Sequence, residues 1–407
     1  MSEKRERLRT LEMPRLRPRP LPPREEVVAN QSRHFQTVKL SRGELGHWFH
    51  TPLDGGEWSE WGKRARPDAV GMTYMAVTEV CDRPVPEVQA YRRLMHSRFV
   101  KPSPRVPENL EERLAPKWGG AREIEEKYEV WIDDAGPLAE EALDRQWRPA
   151  LSLRWEDMQR LPPPLERAFD QILTWLLQCE YFCSDAVGGY VGRLHYRFVE
   201  IKSYLAYEIF DYALHANALR KRLLSNGGGM GAQVEGFDAG LLEVCNEASQ
   251  GFSGEVPRDF NAVVLAIDVW LNGVMLDLLR LAAAGARSEF DRRLLERVMQ
   301  DCARHVSWGC KRIGCYLRDA PPEREAAERL HAVADRFEPA QVEGHLLNPR
   351  VLEPLALLLG GGPENAAAGW SVLREFWPQI GERWLARLDA VGLNRRDRCQ
   401  VPTQPPF

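Results

Sequence analysis

The sequence predicts an all-α protein, and three observations carry that prediction. From Pro164 onward, long apolar-periodic stretches with few breakers follow one another. Strand-like alternation is absent from that part of the chain. Four of the stretches are each long enough to cross a helical bundle at ~1.5 Å of rise per residue.

The elements follow in order. Residues 1–35 form a basic, proline-rich arm: up to Arg24 it carries eight Lys/Arg against three Glu, with five prolines and no apolar period. A segment of that composition cannot bury enough surface to offset its ordering entropy, so it is expected to be disordered or to order on a partner. Residues 36–155 read as an irregular, aromatic-rich region, with HWFHTPLDGGEWSEW from His47 to Trp61 as its densest part. Residues 156–320 are expected to hold a four-helix core, with helices over 164–194, 197–224, 260–285 and 288–318. The break between the second and third helices contains SNGGGMGAQ and a short helix at 238–250. Two hairpins joined by one long crossover are the topology that follows. Residues 321–407 read as additional helices, in EREAAERLHAVADRF and AAAGWSVLREFWPQIGERWLARLDAVG.

Composition excludes several classes of function. With 55 Lys+Arg against 59 Asp+Glu the formal charge is −4, which gives no net field to gather nucleic acid or an anionic membrane. Eight cysteines lie scattered without a C-x-x-C pair, so a disulfide framework is not expected and a reducing cytoplasm is. By eye no run reaches the ~18–20 apolar residues that span a bilayer. Gly227-Gly228-Gly229 has no strand before it and no Lys-Ser/Thr after it, so it reads as a flexible crossover rather than a phosphate loop.

An internal repeat carries the chemistry. The second helix contains Asp211-Tyr212-Ala213-Leu214-His215 and the fourth Asp301-Cys302-Ala303-Arg304-His305, both D-x-A-x-H. Each follows a partner helix, one with Glu180 and the other with Asn272. Residues four apart share a helix face, so each Asp can hold an imidazole in one tautomer. An Asp–His pair on a buried face is also an ordinary structural pair, and Tyr212 and Cys302 are equally readable as core fillers.

With those residues in view, the four helices resemble the ferritin and ribonucleotide reductase superfamily of carboxylate-bridged di-iron proteins. The resemblance implies a ferritin-like bundle in which helices two and four carry D-E-x-R-H and helices one and three each give one Glu. Glu180 then matches a ligand, His215 and His305 match the two histidines, and Asp211 and Asp301 match the groups that orient them. Tyr212, Asn272 and Cys302 stand where three ligand carboxylates are expected. One carboxylate where four are usual neutralises too little of the charge of two ferric ions. The implied reading is therefore a degenerate site with no metal in this chain, although a shifted register could recruit Glu208 or Asp268.

Within the superfamily, the RPDAVGMTYMAV segment, LLQCEYFCSDA and the pairing of DFNAVVLAIDVWLNGV with QDCARHVSW resemble the β subunit of bacterial multicomponent monooxygenases. That resemblance implies a non-catalytic subunit of a hydroxylase that oxidises a hydrocarbon or aromatic with O2. It implies a catalytic α-type partner that holds the di-iron centre, in an α/β hetero-oligomer, with a reductase and a regulatory component. The alternative is a self-sufficient di-iron oxygenase or oxidase with an unusual ligand set.

Overall fold

The computed structural model describes residues 132–191, 194, 198–225, 230–250, 259–320, 325–405 and 407. The arm 1–35, the Trp-rich stretch from His47 to Trp61, the segment at 67–77, Cys81 and Gly227–Gly229 lie outside the described residues. Among the described residues there is no β-strand, and nine helices of ten residues or more follow one another. They are α1 (Ala135–Asp144), α2 (Pro163–Val191), α3 (Val199–Ser225), α4 (Leu241–Gln250), α5 (Phe260–Gly285), α6 (Glu289–Asp319), α7 (Ala326–Gln341), α8 (Pro349–Gly360) and α9 (Ala366–Ala390).

Local chemistry sets several of the boundaries. Asp259 accepts a hydrogen bond from the Ala262 N–H at the start of α5, and Ser288 accepts one from Asp291 at the start of α6. Glu289 and Asp291 add negative charge to the first turn of α6, where the helix dipole favours it. Asn348 accepts from Arg350 to open α8, and Gly361, at φ +84°, ends that helix in the left-handed region.

The expected topology is present. α2 pairs with α3, α5 pairs with α6, and the chain between the pairs runs along the bundle as a crossover. From Met230 to Val234 this crossover is extended and buried, so its backbone must find partners inside the protein. One stripe of α2 supplies them. Thr174 accepts from the Gly231 N–H, Gln171 accepts from Ala232 and donates back to its carbonyl, and Gln178 accepts from Val234. At one end of the bundle the buried Arg222 of α3 donates to Glu166 of α2 and to Asp291 of α6, each at 2.6 Å, and joins the two hairpins.

Three features differ from the sequence reading. α1 is helical inside the stretch read as irregular, and it packs on α3. α8 was not read from the sequence; every residue from Val351 to Leu358 is buried, Glu353 included, and it carries Pro354 in its interior. α5 is long and apolar enough to cross a membrane by composition, because its two interior aspartates are too few to break the window. That window lies wholly inside the bundle, as a core helix does.

Candidate functional site

At the centre of the bundle the repeat places four side chains from α3 and α6 against Glu180 of α2. The Asp–His pairs do not close within each motif. The His215 Nε2–H donates to Asp301 Oδ2 of the opposite helix at 3.0 Å, and the His305 Nε2–H donates to Asp211 Oδ2 at 3.1 Å. Side chains four apart on one face both point inward, so each meets the partner helix before it meets its own neighbour. Arg304 seals the exchange: its Nη2 donates to Asp211 Oδ2 at 2.6 Å and to Asp301 Oδ1 at 2.8 Å. The Trp147 indole, reaching in from the chain between α1 and α2, donates to Asp301 at 2.8 Å.

With Nε2 of each ring fixed, both Nδ1 atoms face the middle of the bundle. His215 Nδ1 donates to Glu180 Oε2 at 3.1 Å, and His305 Nδ1 lies 3.4 Å from Asn272 Oδ1. The ring centroids are 6.5 Å apart. Burial works against charge on His215, but Glu180 and Asp301 outweigh it and hold the imidazolium up to about 10. Burial likewise opposes charge on Asp301, but His215, Arg304 and Trp147 hold it well below the usual carboxylate range. The centre is therefore a lattice of alternating charges, Glu180, His215, Asp301, Arg304 and Asp211.

Tyr212 and Asn272 extend this lattice instead of leaving a gap. The Tyr212 hydroxyl donates to Glu208 Oε1 at 2.7 Å, and Asn272 Nδ2 donates to the Tyr212 oxygen at 2.8 Å. Glu208 and Asp268 each stand one helical turn before the positions of Tyr212 and Asn272, and both are buried, with Glu208 Oε2 and Asp268 Oδ1 left without a hydrogen-bond partner. Burial and the neighbouring Glu208 push Asp268 well above the usual carboxylate range. Two features bring Asp268 here. The turn Leu265–Leu271 of α5 is π-helical, and both the N–H and the side chain of Asn272 donate to the Ile267 carbonyl. In α6, Gly309 lets the helices close: a Cβ there would lie 2.6 Å from the Asp268 Cβ. Cys302 is fully buried, and burial ahead of the Glu180 charge pushes its thiol well up, which keeps it protonated.

The structure places Glu180, Asp211, His215, Asp301 and His305, the residues singled out in the sequence, in one buried cluster. The sequence reading missed Arg304, although the residue sits inside the repeated motif, and Trp147, which no local pattern connects to Asp301. It allowed for Glu208 and Asp268 only through a shifted register that would need both at once, and in the structure the two carboxyls lie close enough for Glu208 to raise Asp268.

No family model matches the chain, and no curated relative does. Solved structures do match in fold. One variant of an R2-like ligand-binding oxidase with an aerobically reconstituted Mn/Fe cofactor superposes with TM-score 0.51 at 15% identity, over 65% of this chain and 95% of that one. Another R2-like ligand-binding oxidase with a Mn/Fe cofactor gives the same values, and a variant with an Fe/Fe cofactor gives TM-score 0.50 at 16% identity over 64% and 94%. The chain thus has the all-helical, ferritin-like fold. These structures correct one expectation: that a chain of this kind lacks a cofactor and leaves the di-iron centre to a partner. The proteins it is similar to carry a Mn/Fe or Fe/Fe cofactor themselves.

The donor set can be tested against that cofactor. A carboxylate-bridged pair of metals is held by four carboxylates and two histidines. Here Tyr212, Asn272 and Cys302 take three of those places, and Glu208 and Asp268 stand one helical turn away from two of them. Among the described residues no three His, Cys, Asp or Glu side chains are grouped to hold an ion as they stand. The residues do not fit a carboxylate-bridged pair. Glu180, whose Oε1 is buried without a hydrogen-bond partner, together with His215 and His305, does supply the donor types of a two-histidine, one-carboxylate set.

Proposed function

We propose that this chain is a self-contained oxidase or oxygenase with an unusual ligand set, its cofactor held within its own bundle. The side chains that would hold a single divalent ion are Glu180, His215 and His305. One observation supports this reading above the others: both imidazoles are anchored at Nε2 by a carboxylate and turn Nδ1 to the centre, the arrangement by which proteins orient metal-binding histidines. An ion of this class supplies redox chemistry with O2 when bound. The protein's own contributions are orientation, charge balance and exclusion of water. Asp211, Asp301 and Arg304 fix the rings, and the buried Trp147 and Tyr204 close the ends of the network, the Tyr204 hydroxyl donating to the Arg304 carbonyl at 3.3 Å.

The test is to load the purified chain anaerobically with Fe(II), measure bound iron, and then follow O2 uptake on exposure to air. Iron retention with O2 uptake, both lost in Glu180→Gln, supports the proposal. Absence of bound iron overturns it.

A second reading is favoured by the way Tyr212 and Asn272 join the centre by hydrogen bonds. In that reading the chain is a structural, β-type subunit beside a catalytic α-type chain in an α/β hetero-oligomer, served by a reductase and a regulatory component. Co-purification of such a chain, with activity dependent on both, would support it.

A further inference from the structure

α5 and α9 meet outside the central site, and the residues at their contact carry an excess of positive charge. Gly273, Asp277 and Arg280 share one face of α5, and Arg383 and Arg387 share one face of α9. The Asp277 side chain is fully buried. Its Oδ1 accepts from Arg280 Nη1 at 2.6 Å and from Arg383 Nη1 at 2.9 Å, while Arg387 Nη1 stands 3.5 Å from Oδ2. Three guanidiniums thus share one carboxylate, which leaves two positive charges in surplus.

Arg387 is the floor of this group. Its side chain is 14% exposed, it lies against the α5 backbone at Gly273, and its Nε is buried with no hydrogen-bond partner. A Cβ at position 273 would fall 2.7 Å from Nη2, so the glycine makes room for the guanidinium. Arg280 and Arg383 are 38% and 34% exposed and form the rim. Arg383 is steadied by Gln379 and by the Phe376 ring, 4.8 Å from its guanidinium carbon. Burial, and Arg280 beside it, draw Arg387 below the usual guanidinium range against the pull of Asp277, as expected of a cation short of counter-charge.

We propose that Arg280, Arg383 and Arg387 form a binding site for a dianionic phosphoryl group. The match is one of charge and shape: two surplus charges against a dianion, and planar guanidinium forks against a tetrahedral set of oxygens. Asp277 Oδ1 draws both rim guanidiniums to one point and leaves their outer edges open to solvent. The site is separate from the central cluster, because Asn272 faces the bundle interior while Gly273 and Asp277 face α9.

The experiment is calorimetric titration of the full chain with inorganic phosphate, with sodium chloride at matched ionic strength as the control. Saturable binding by the wild type is expected, with affinity about tenfold weaker for each rim guanidinium removed in Arg280→Gln and Arg383→Gln. Both residues lie at the rim with about a third or more of the side chain exposed, so these variants are expected to fold, and circular dichroism checks that they do. Arg387→Lys, which keeps the charge but loses the fork, should weaken binding by a similar factor. A parallel arm uses flotation with phosphatidylcholine vesicles with and without phosphatidic acid. Flotation that the Arg383→Gln variant loses assigns the same arginines to a lipid phosphate, whereas its absence beside phosphate binding assigns them to a soluble one. Failure to bind either probe, or binding that the rim variants retain as an adventitious ion only, overturns the proposal.

Discussion

His215 and His345 are both completely buried, and they hold opposite charge states. His215 sits between two carboxylates, Glu180 and Asp301, and keeps its proton up to about 10 despite burial. His345 sits between an indole and a carbonyl: Trp175 donates to its Nδ1 at 2.9 Å, and its Nε2–H donates to the Phe237 carbonyl at 2.6 Å. Burial lowers it to about 4, and the carbonyl offsets this only in part. Neutral partners fix its tautomer without supplying a counter-charge. The contrast shows what burial decides and what it does not: the interior penalises charge in both places, and only ionised neighbours overcome it. The centre of the bundle is built to hold charge, whereas the turn after α7, where His345 joins α2 to the crossover, is built to hold shape.

The largest break in this contrast is expected from Asp301→Asn, which removes the carboxylate shared by His215, Arg304 and Trp147. It leaves buried cations without their partner, and chemical denaturation should show a loss of about 3–5 kcal/mol. Trp175→Phe, the counterpart change at His345, removes a neutral donor and part of a buried ring and should cost about 2 kcal/mol by the same measurement. Similar costs for the two would mean that the central network is no more electrostatic than its neutral counterpart.

The two histidines should also divide the pH axis in the metal-free protein. His215 is raised above its unfolded value near 6.5, so its contribution is complete below that pH and is lost as pH rises through about 10. His345 is depressed, so its neutral form stabilises the fold above about 6.5, and this is lost as pH falls toward 4. Measured as wild type minus His215→Gln and wild type minus His345→Gln, the stability differences should shrink on opposite sides of neutrality. Two differences that shrink on the same side would refute the assignment of charge. A smaller effect is expected from Tyr212→Phe, which leaves Glu208 Oε1 without its donor and should cost about 1–3 kcal/mol.

Much of this was legible in the sequence, for physical reasons that differ by element. The core helices declare themselves by periodicity, and D-x-A-x-H repeats because the two hairpins face each other around one centre. The exchange of partners between α3 and α6 was not legible, since spacing along one helix says nothing of which helix lies opposite. Trp147 reaches Asp301 from 154 residues away, a contact that only the packing of the chain between α1 and α2 on the bundle creates. The proximity of Glu208 to Asp268 depends on a π-helical turn, and no residue pattern in LAIDVWL announces one. α8 escaped notice because it is short and carries Pro354 in its interior, a residue that argues against a helix.

The central claim is that the imidazoles of His215 and His305 face a cofactor within this chain, and pulsed electron paramagnetic resonance of the Mn(II)-loaded protein tests it most directly. Because an ion must displace the proton on His215 Nδ1, loading should strengthen as pH rises. Hyperfine couplings from two imidazole nitrogens are predicted in the wild type, with one lost in His305→Gln. Bound Mn(II) without nitrogen coupling, or couplings unchanged in that variant, would contradict the account.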